Sequence, residues 1–393
     1  MMRDKNKNRA GRGDETQTLV GEIHRAARPL VLVVTGGGSG AIAALLERAG
    51  ASRTVLEATV PYAPLALARW LGATPEQACA PRTARAMAMV AYHRARGYLT
   101  GQEATPVGLA CTASLATDRP KRGEHRLFVA LQSGSSTCEW SLILAKGRRS
   151  RQEEETLATG VLLNAAAEAC GIQPRIALDL FAGERLDGRR CEAPAGWRQL
   201  LAGEIDAADA EGHVLEPDNS AGRAMFPGAF NPLHDGHRRM AEFAAARLGM
   251  PVEIELSITN VDKPPLDFLE MRDRAGQFTG PRLWFTNADT FVKKSRIFPG
   301  STFIVGVDTL ERIAKPAYYG GETAKRDAAV AEIAGRGCRF LVFGRYRCNS
   351  FYSLTTIELP AALAAISVEI PEAEFRQDIS STLLRAAGRP EDD

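Results

Sequence analysis

Short apolar runs rich in Val, Leu and Ile alternate with longer stretches of helical spacing along this 393-residue chain, and they do so in two separate blocks. Strands separated by helices pair most readily side by side in parallel, because each helix supplies the long crossover that a parallel pair needs. The first block opens with Leu30-Val31-Leu32-Val33-Val34, turns through Thr35-Gly36-Gly37-Gly38-Ser39-Gly40, and continues with helical spacing over residues 41–49. Strand-like runs follow at 54–59, 107–111, 127–131 and 140–144, around a helical stretch at 82–96, and a helix at 151–170 closes the block. Residues 171–222 lose this pattern to Gly, Asp, Glu and Arg, which predicts a linker or extension between domains. The second block has strands at 224–226, 252–256, 283–285, 302–307 and 340–343, with helices at 236–248, 288–297, 309–314, 323–334 and 380–387. The expected fold class is therefore α/β in two domains, 27–170 and 223–393. The second is a doubly wound, mostly parallel sheet that binds ligands at the carboxyl ends of its strands.

Composition narrows the function classes. Lysines and arginines (49) nearly balance aspartates and glutamates (47), so no global charge points to nucleic acid or an anionic membrane, and any anion site must be local. No apolar run approaches the roughly 20 residues that cross a bilayer, and the basic first residues lack the apolar core of a secretion signal. Seven cysteines without a CxxC pair argue against a disulfide framework and a zinc site, and fit a reducing cytoplasm. Residues 1–18 are polar without apolar periodicity and read as a disordered tail.

Only six histidines occur in the chain, yet His234 and His237 lie three apart between a strand and a helix, in a segment that holds Gly228, Asn231 and Gly236. A helix N-terminus offers free N–H groups and a positive dipole end to an anion, Gly236 permits close backbone approach, and histidine donors can meet charge building on phosphate oxygens. The competing role is a helix cap at His234 and a surface position at His237. Near the far end, Ile379-Ser380-Ser381-Thr382 precedes Arg385 by one turn, which suits terminal phosphates, with a simple Ser/Thr N-cap as its alternative.

The run Pro227-Gly228-Ala229-Phe230-Asn231-Pro232-Leu233-His234-Asp235-Gly236-His237 resembles the opening motif of the HxGH nucleotidyltransferase superfamily, and Ile379-Ser380-Ser381-Thr382-Leu383-Leu384-Arg385 is similar to its ISSTxxR signature. The resemblance implies that residues from Ala224 to Arg385 bind a nucleoside triphosphate and transfer its nucleotidyl group to a phosphate acceptor. Ser257-Ile258-Thr259-Asn260-Val261-Asp262-Lys263 and Gly306-Val307-Asp308 look similar to stretches in adenylyltransferases for nicotinate or nicotinamide mononucleotide. On that likeness His234, His237 and Lys263 are catalytic. Gly228, Phe230, Asn231, Gly236, Gly306, Asp308, Ile379, Ser380, Ser381, Thr382 and Arg385 bind the nucleotide. ATP is the expected donor, Mg²⁺ rides on its phosphates without a protein metal cage, and Trp284 is a candidate platform for a pyridine ring, with a core position on its strand as the alternative. For Lys263 and Asp308 the alternatives are a surface lysine and a helix N-cap before Thr309. The alternatives are a cytidylyltransferase, an adenylyltransferase with another acceptor, or a nucleotide-binding regulator without catalysis. Expected partners are small molecules and, as an open option, further copies of the chain.

The first block resembles the C-terminal domain of the CinA family, members of which deamidate nicotinamide mononucleotide. The likeness rests on Thr35-Gly36-Gly37, on residues 84–91 of the long helix, and on Gly108-Leu109-Ala110-Cys111-Thr112-Ala113. Active members carry a serine where this chain has Val33, and valine cannot act as a nucleophile. Thr35, Ser39 and Thr112 remain as nearby hydroxyls, and Lys121, Arg122, His125 and Arg126 form a polar cluster suited either to a phosphate or to a solvated loop. The block is therefore expected to bind a ligand or serve structurally, with deamidation in question.

Overall fold

The strand β1 (Leu30–Thr35) is buried along its whole length, as a parallel strand covered on both faces must be. It belongs to a computed structural model that describes residues 2–99, 105–118, 121–173, 175–216, 222–259, 265–347 and 350–376. The chain divides into two compact units, Met1–Ala193 with Asn260–Glu270, and Pro194–Thr259 with Met271–Asp393.

In the first unit, α1 (Met2–Ala26) precedes β1, and α2 (Gly40–Glu47), β2 (Val55–Thr59), α3 (Pro64–Leu71) and α4 (Pro81–Gly97) follow. Then come β3 (Val107–Ser114), β4 (His125–Gln132), β5 (Ser136–Leu144), α5 (Arg151–Ala169) and β6 (Asp187–Glu192). The sheet order is β2-β1-β3-β4-β5-β6. The first three strands are parallel and the rest antiparallel. One core layer joins Leu19, Val20 and Ile23 of α1 to Leu45 of α2 and Leu157 and Val161 of α5; the other sets Val31 and Val33 against Leu67, Ala84 and Ala88. The α4 backbone lies directly on β3, where a side chain at Gly108 would come within 2.0 Å of the Ala88 carbonyl oxygen. Helix α5 starts at a capping box: Ser150 Oγ accepts from the Glu153 amide at 3.3 Å, and Glu153 Oε2 accepts from the Ser150 amide at 2.8 Å.

One expectation needs correction here, and one choice is decided. Residues 2–18 are helical rather than a disordered tail. The buried face Leu19, Val20, Ile23 and His24 anchors the end of α1, and extending a formed helix costs much less than nucleating one. Of the two roles expected for residues 171–222, the described part fits an extension rather than a linker, because β6 extends the first sheet and the next elements belong to the second unit.

Arg85 of α4 sits in a buried cluster of this first unit. It pairs with Glu139 of β5, with Asp267 at 3.0 Å and with Glu270 at 3.2 Å, the last two from the returning segment. Burial opposes its charge, but the three carboxylates outweigh that and raise its pKa.

The second unit begins with α6 (Ala195–Ala202) and β7 (Ala207–Asp209). It continues through β8 (Ala224–Pro227), α7 (Asp235–Leu248), β9 (Val252–Ser257), α8 (Phe268–Ala275, whose first residues group with the first unit), β10 (Leu283–Thr286) and α9 (Phe291–Ile297). After these come β11 (Thr302–Gly306), α10 (Val307–Ala314), α11 (Thr323–Gly335), β12 (Arg339–Phe343), the hairpin β13 (Arg345–Arg347) and β14 (Ser350–Tyr352), α12 (Ala361–Ala365) and β15 (Ser367–Ile370). The main sheet runs β15-β12-β11-β8-β9-β10-β7, parallel throughout except for the edge strand β7. This is the doubly wound arrangement expected. From β8 the chain winds outward through β9 and β10, then crosses to β11 on the other side, so the topological switch point lies between the carboxyl ends of β8 and β11. Among the described residues, no helix is long and apolar enough to cross a membrane.

Candidate functional site

The segment between β8 and α7 lies at that switch point. Gly228 donates its amide to the Glu255 carbonyl of β9 at 3.0 Å. The Phe230 ring folds back over Gly228, where a β-carbon would stand 2.7 Å from the ring, so the fold-back requires glycine. Phe230 adopts φ +44°, a left-handed conformation costly for a bulky side chain, and the Asn231–Pro232 peptide is cis. The phenyl ring is buried, edge-on to Phe226, Phe278 and the His237 imidazole, with ring centroids 5.3, 5.2 and 5.0 Å away. Its side chain supports the loop from within. Asn231 is half-buried and Gly236 is buried in the first turn of α7.

His234 is the N-cap residue of α7 and His237 stands three residues into the helix, so their imidazoles stack with centroids 3.7 Å apart and planes 22° from parallel. The His234 amide donates to His237 Nδ1 at 3.3 Å. A ring nitrogen that accepts is unprotonated, so this bond places the neutral ring's proton on Nε2. Burial, reinforced by the neighbouring His234 and Arg238, lowers the His237 pKa to about 4, and burial also lowers that of His234. Burial thus disfavours the charged form of both rings. Nδ1 of His234 is buried without a hydrogen-bond partner. A 14-residue helix aims its positive end at the same place.

Across the switch point, Gly306 is the N-cap of α10 and has open space where a side chain would stand. Asp308 lies in the first turn of α10, not at the N-cap, and pairs with Arg345 of β13, both side chains about 40% exposed. Trp284 is not a ligand platform: it is 1% exposed and donates through Nε1 to Glu253. Lys263, Ile379, Ser380, Ser381, Thr382 and Arg385 lie outside the described residues. Sequence reasoning missed Arg274 and Gln277, which bond the loop before α7, and the buried pair Lys294–Glu255. Lys294 Nζ lies 2.6 and 2.7 Å from the two Glu255 oxygens and donates to the Ala288 carbonyl at 2.8 Å.

In the first unit, Gly36 and Gly38 give the turn after β1 its positive φ values of 75° and 88°. The start of α2 that follows is filled by the protein itself, because Glu155 accepts from Ser39 Oγ at 2.8 Å and from the Gly40 amide at 3.3 Å. Val33 is fully buried in the core. Thr35 and Thr112 donate to the carbonyls of Pro61 and Ala78 at 3.0 and 2.8 Å. The polar cluster is also tied internally: Lys121 donates to Ser114 Oγ at 2.8 Å and the Leu115 carbonyl at 2.7 Å, and buried His125 pairs with Glu154 at 2.7 Å. Arg126 Nε is buried without a partner.

The first part of the chain is similar to solved structures of competence/damage-inducible proteins. CihA from Agrobacterium tumefaciens is 19% identical at a TM-score of 0.31, with 38% of this chain and 96% of that one covered. A competence or damage-inducible protein from Enterobacter asburiae is 14% identical at a TM-score of 0.33, covering 40% and 96%. A CinA superfamily protein from Klebsiella pneumoniae is 15% identical at a TM-score of 0.31, covering 40% and 98%. No curated protein matches the chain. Residues 225–387 match the family model described as Cytidylyltransferase-like, and this match, over the histidine-bearing segment at the switch point, supports a nucleotidyltransferase activity for the C-terminal part.

Proposed function

We propose that the second unit transfers AMP from ATP to nicotinate or nicotinamide mononucleotide, releasing pyrophosphate and forming a dinucleotide. The observation that carries the reading is the stacked His234–His237 pair at the start of α7, beside the switch point. An acceptor phosphate oxygen attacks the α-phosphorus, the bond to the bridging oxygen of the β-phosphate breaks, and pyrophosphate leaves without a covalent enzyme intermediate. The Nε2 proton of His237 and the positive end of α7 meet the charge that builds on the α-phosphate oxygens. Lys263 and Arg385 are the proposed phosphate ligands, with Ser380, Ser381 and Thr382 as donors.

Asp209, Glu211 and His213 are the group of three metal-capable side chains among the described residues. They lie at β7, three strands from β8 or about 14 Å away, and Asp209 already pairs with Arg282 at 3.0 Å. Mg²⁺ is proposed as an ion that would ride on the triphosphate oxygens and offset phosphate charge when bound.

A cytidylyltransferase acting on another phosphate acceptor is the second reading, favoured by the description of the matched family model. Pyrophosphate release from ATP or CTP against a panel of phosphorylated acceptors separates the two. AMP transfer to a pyridine mononucleotide is expected, with turnover about a hundredfold or more lower in His237→Ala, the usual cost of losing one preorganised donor. Release confined to CTP would overturn the proposed donor, and full activity in His237→Ala would remove this histidine from the chemistry.

A further inference from the structure

The loop that presents the two histidines is braced from outside as well as by its own contacts. Between Gly228 and His234, two side chains from 44 to 47 residues further along the chain bond its backbone. Arg274, in the last turn of α8 and 6% exposed, donates to the Ala229 carbonyl. Gln277, just beyond α8, accepts from the Leu233 amide at 2.9 Å through Oε1 and donates to the Phe230 carbonyl at 3.4 Å through Nε2. One carboxamide thus bridges both sides of Asn231-Pro232, using its acceptor on one side and its donor on the other. What it fixes is the fold-back of Phe230, and the Phe230 ring in turn forms one wall of the His237 imidazole.

We propose that Gln277 is a positioning residue for nucleotidyl transfer: by clamping Phe230 to Leu233 it holds the His234–His237 pair stacked at the start of α7. The proposal rests on the reading of the site as a nucleotidyltransferase. Its mechanical half stands apart from that reading, because the clamp sets the burial of His237 whatever the reaction. Without the carboxamide, two backbone groups lose their partners, and the strained left-handed conformation of Phe230 loses a support. The phenyl ring then swings off the imidazole and water reaches it. A shift of about 1 Å in a reacting group is enough to cost about a hundredfold in rate.

The experiment uses the full-length protein and its Gln277→Ala and Gln277→Glu variants. Pyrophosphate release gives kcat and KM for ATP, and NMR titration of the imidazole Cε1 proton, assigned with His237→Ala, follows His237. In Gln277→Ala, kcat is expected to fall between about tenfold and a hundredfold with KM for ATP within about twofold, and the His237 titration to move from about 4 toward 6.5. Glutamate keeps an oxygen for the Leu233 amide but loses the donor to Phe230, so Gln277→Glu should recover part of both losses. A His237 titration identical in wild type and Gln277→Ala overturns the clamp. A shifted titration with unchanged kcat overturns its role in the reaction. Wild-type protein inactive with every triphosphate refutes the proposed function, while the titration still decides whether Gln277 sets the histidine.

Discussion

The burial that keeps His237 neutral has a thermodynamic consequence. Its pKa is lowered from the ordinary 6.5 to about 4 in the folded protein. Above pH 6.5 the ring is neutral in both folded and unfolded chains and contributes no pH dependence. As the pH falls below 6.5, the unfolded chain takes up a proton that the folded chain refuses, so stability declines until the pH reaches about 4 and then levels off. The full gap corresponds to about 3 kcal/mol. The ring is only partly buried, so solvent screening trims this to about 2 kcal/mol. His237→Phe keeps an aromatic ring against Phe226 and Phe230 but carries no titrating group. Urea unfolding of both proteins at pH 7.5, 6, 5 and 4, read by hydrogen exchange in β8 and α7 peptides, isolates this contribution. The stability of wild type relative to His237→Phe should drop by about 2 kcal/mol between pH 6.5 and 4. A difference that stays flat across this window would show that His237 titrates normally, and the neutral-donor argument would fail with it.

Two further outcomes are expected. Lys294→Met should destabilise the second unit by about 3–5 kcal/mol by stranding the fully buried Glu255 carboxylate, and Lys294→Met with Glu255→Leu should recover most of the loss; a single-variant cost below about 1 kcal/mol in urea unfolding would show that the pair does not anchor β9 to α9. The full-length chain should release no ammonia from nicotinamide mononucleotide above the uncatalysed rate, because Val33 is core and Thr35, Ser39 and Thr112 are all engaged; ammonia release that disappears in Ser39→Ala or Thr112→Ala would contradict this.

The sequence carried the loop from Gly228 to His237 because its information is local: a strand, a glycine and a helix start within a dozen residues. It could not carry Gln277 or Arg274, which are ordinary polar residues far along the chain and matter only through the backbone groups they reach. The edge strand β6 was equally illegible, since only Cys191 of its six residues is buried and no alternation results. In α1 the apolar face begins at Leu19, so nothing earlier marks the helix that grows from it. For Trp284 the sequence left two roles open, a ligand platform and a core residue of its strand, and only the register decides for the interior, with the indole bonded to Glu253. In the first block, the glycine turn was visible, but Glu155, which occupies the helix start beyond it, lies 115 residues away.

The first unit is discontinuous, since Asp267 and Glu270 return to it from the middle of the later sequence. The chain up to Ala193 is therefore not a finished body, while the chain from Pro194 carries a segment that belongs to the other unit. Expressed alone, a fragment ending at Ala193 would retain Arg85 and Glu139 but lack the other two carboxylates, and a fragment beginning at Pro194 would carry an acidic segment with no arginine to receive it. A single cut after Ala193 thus leaves Arg85 with one buried carboxylate instead of three.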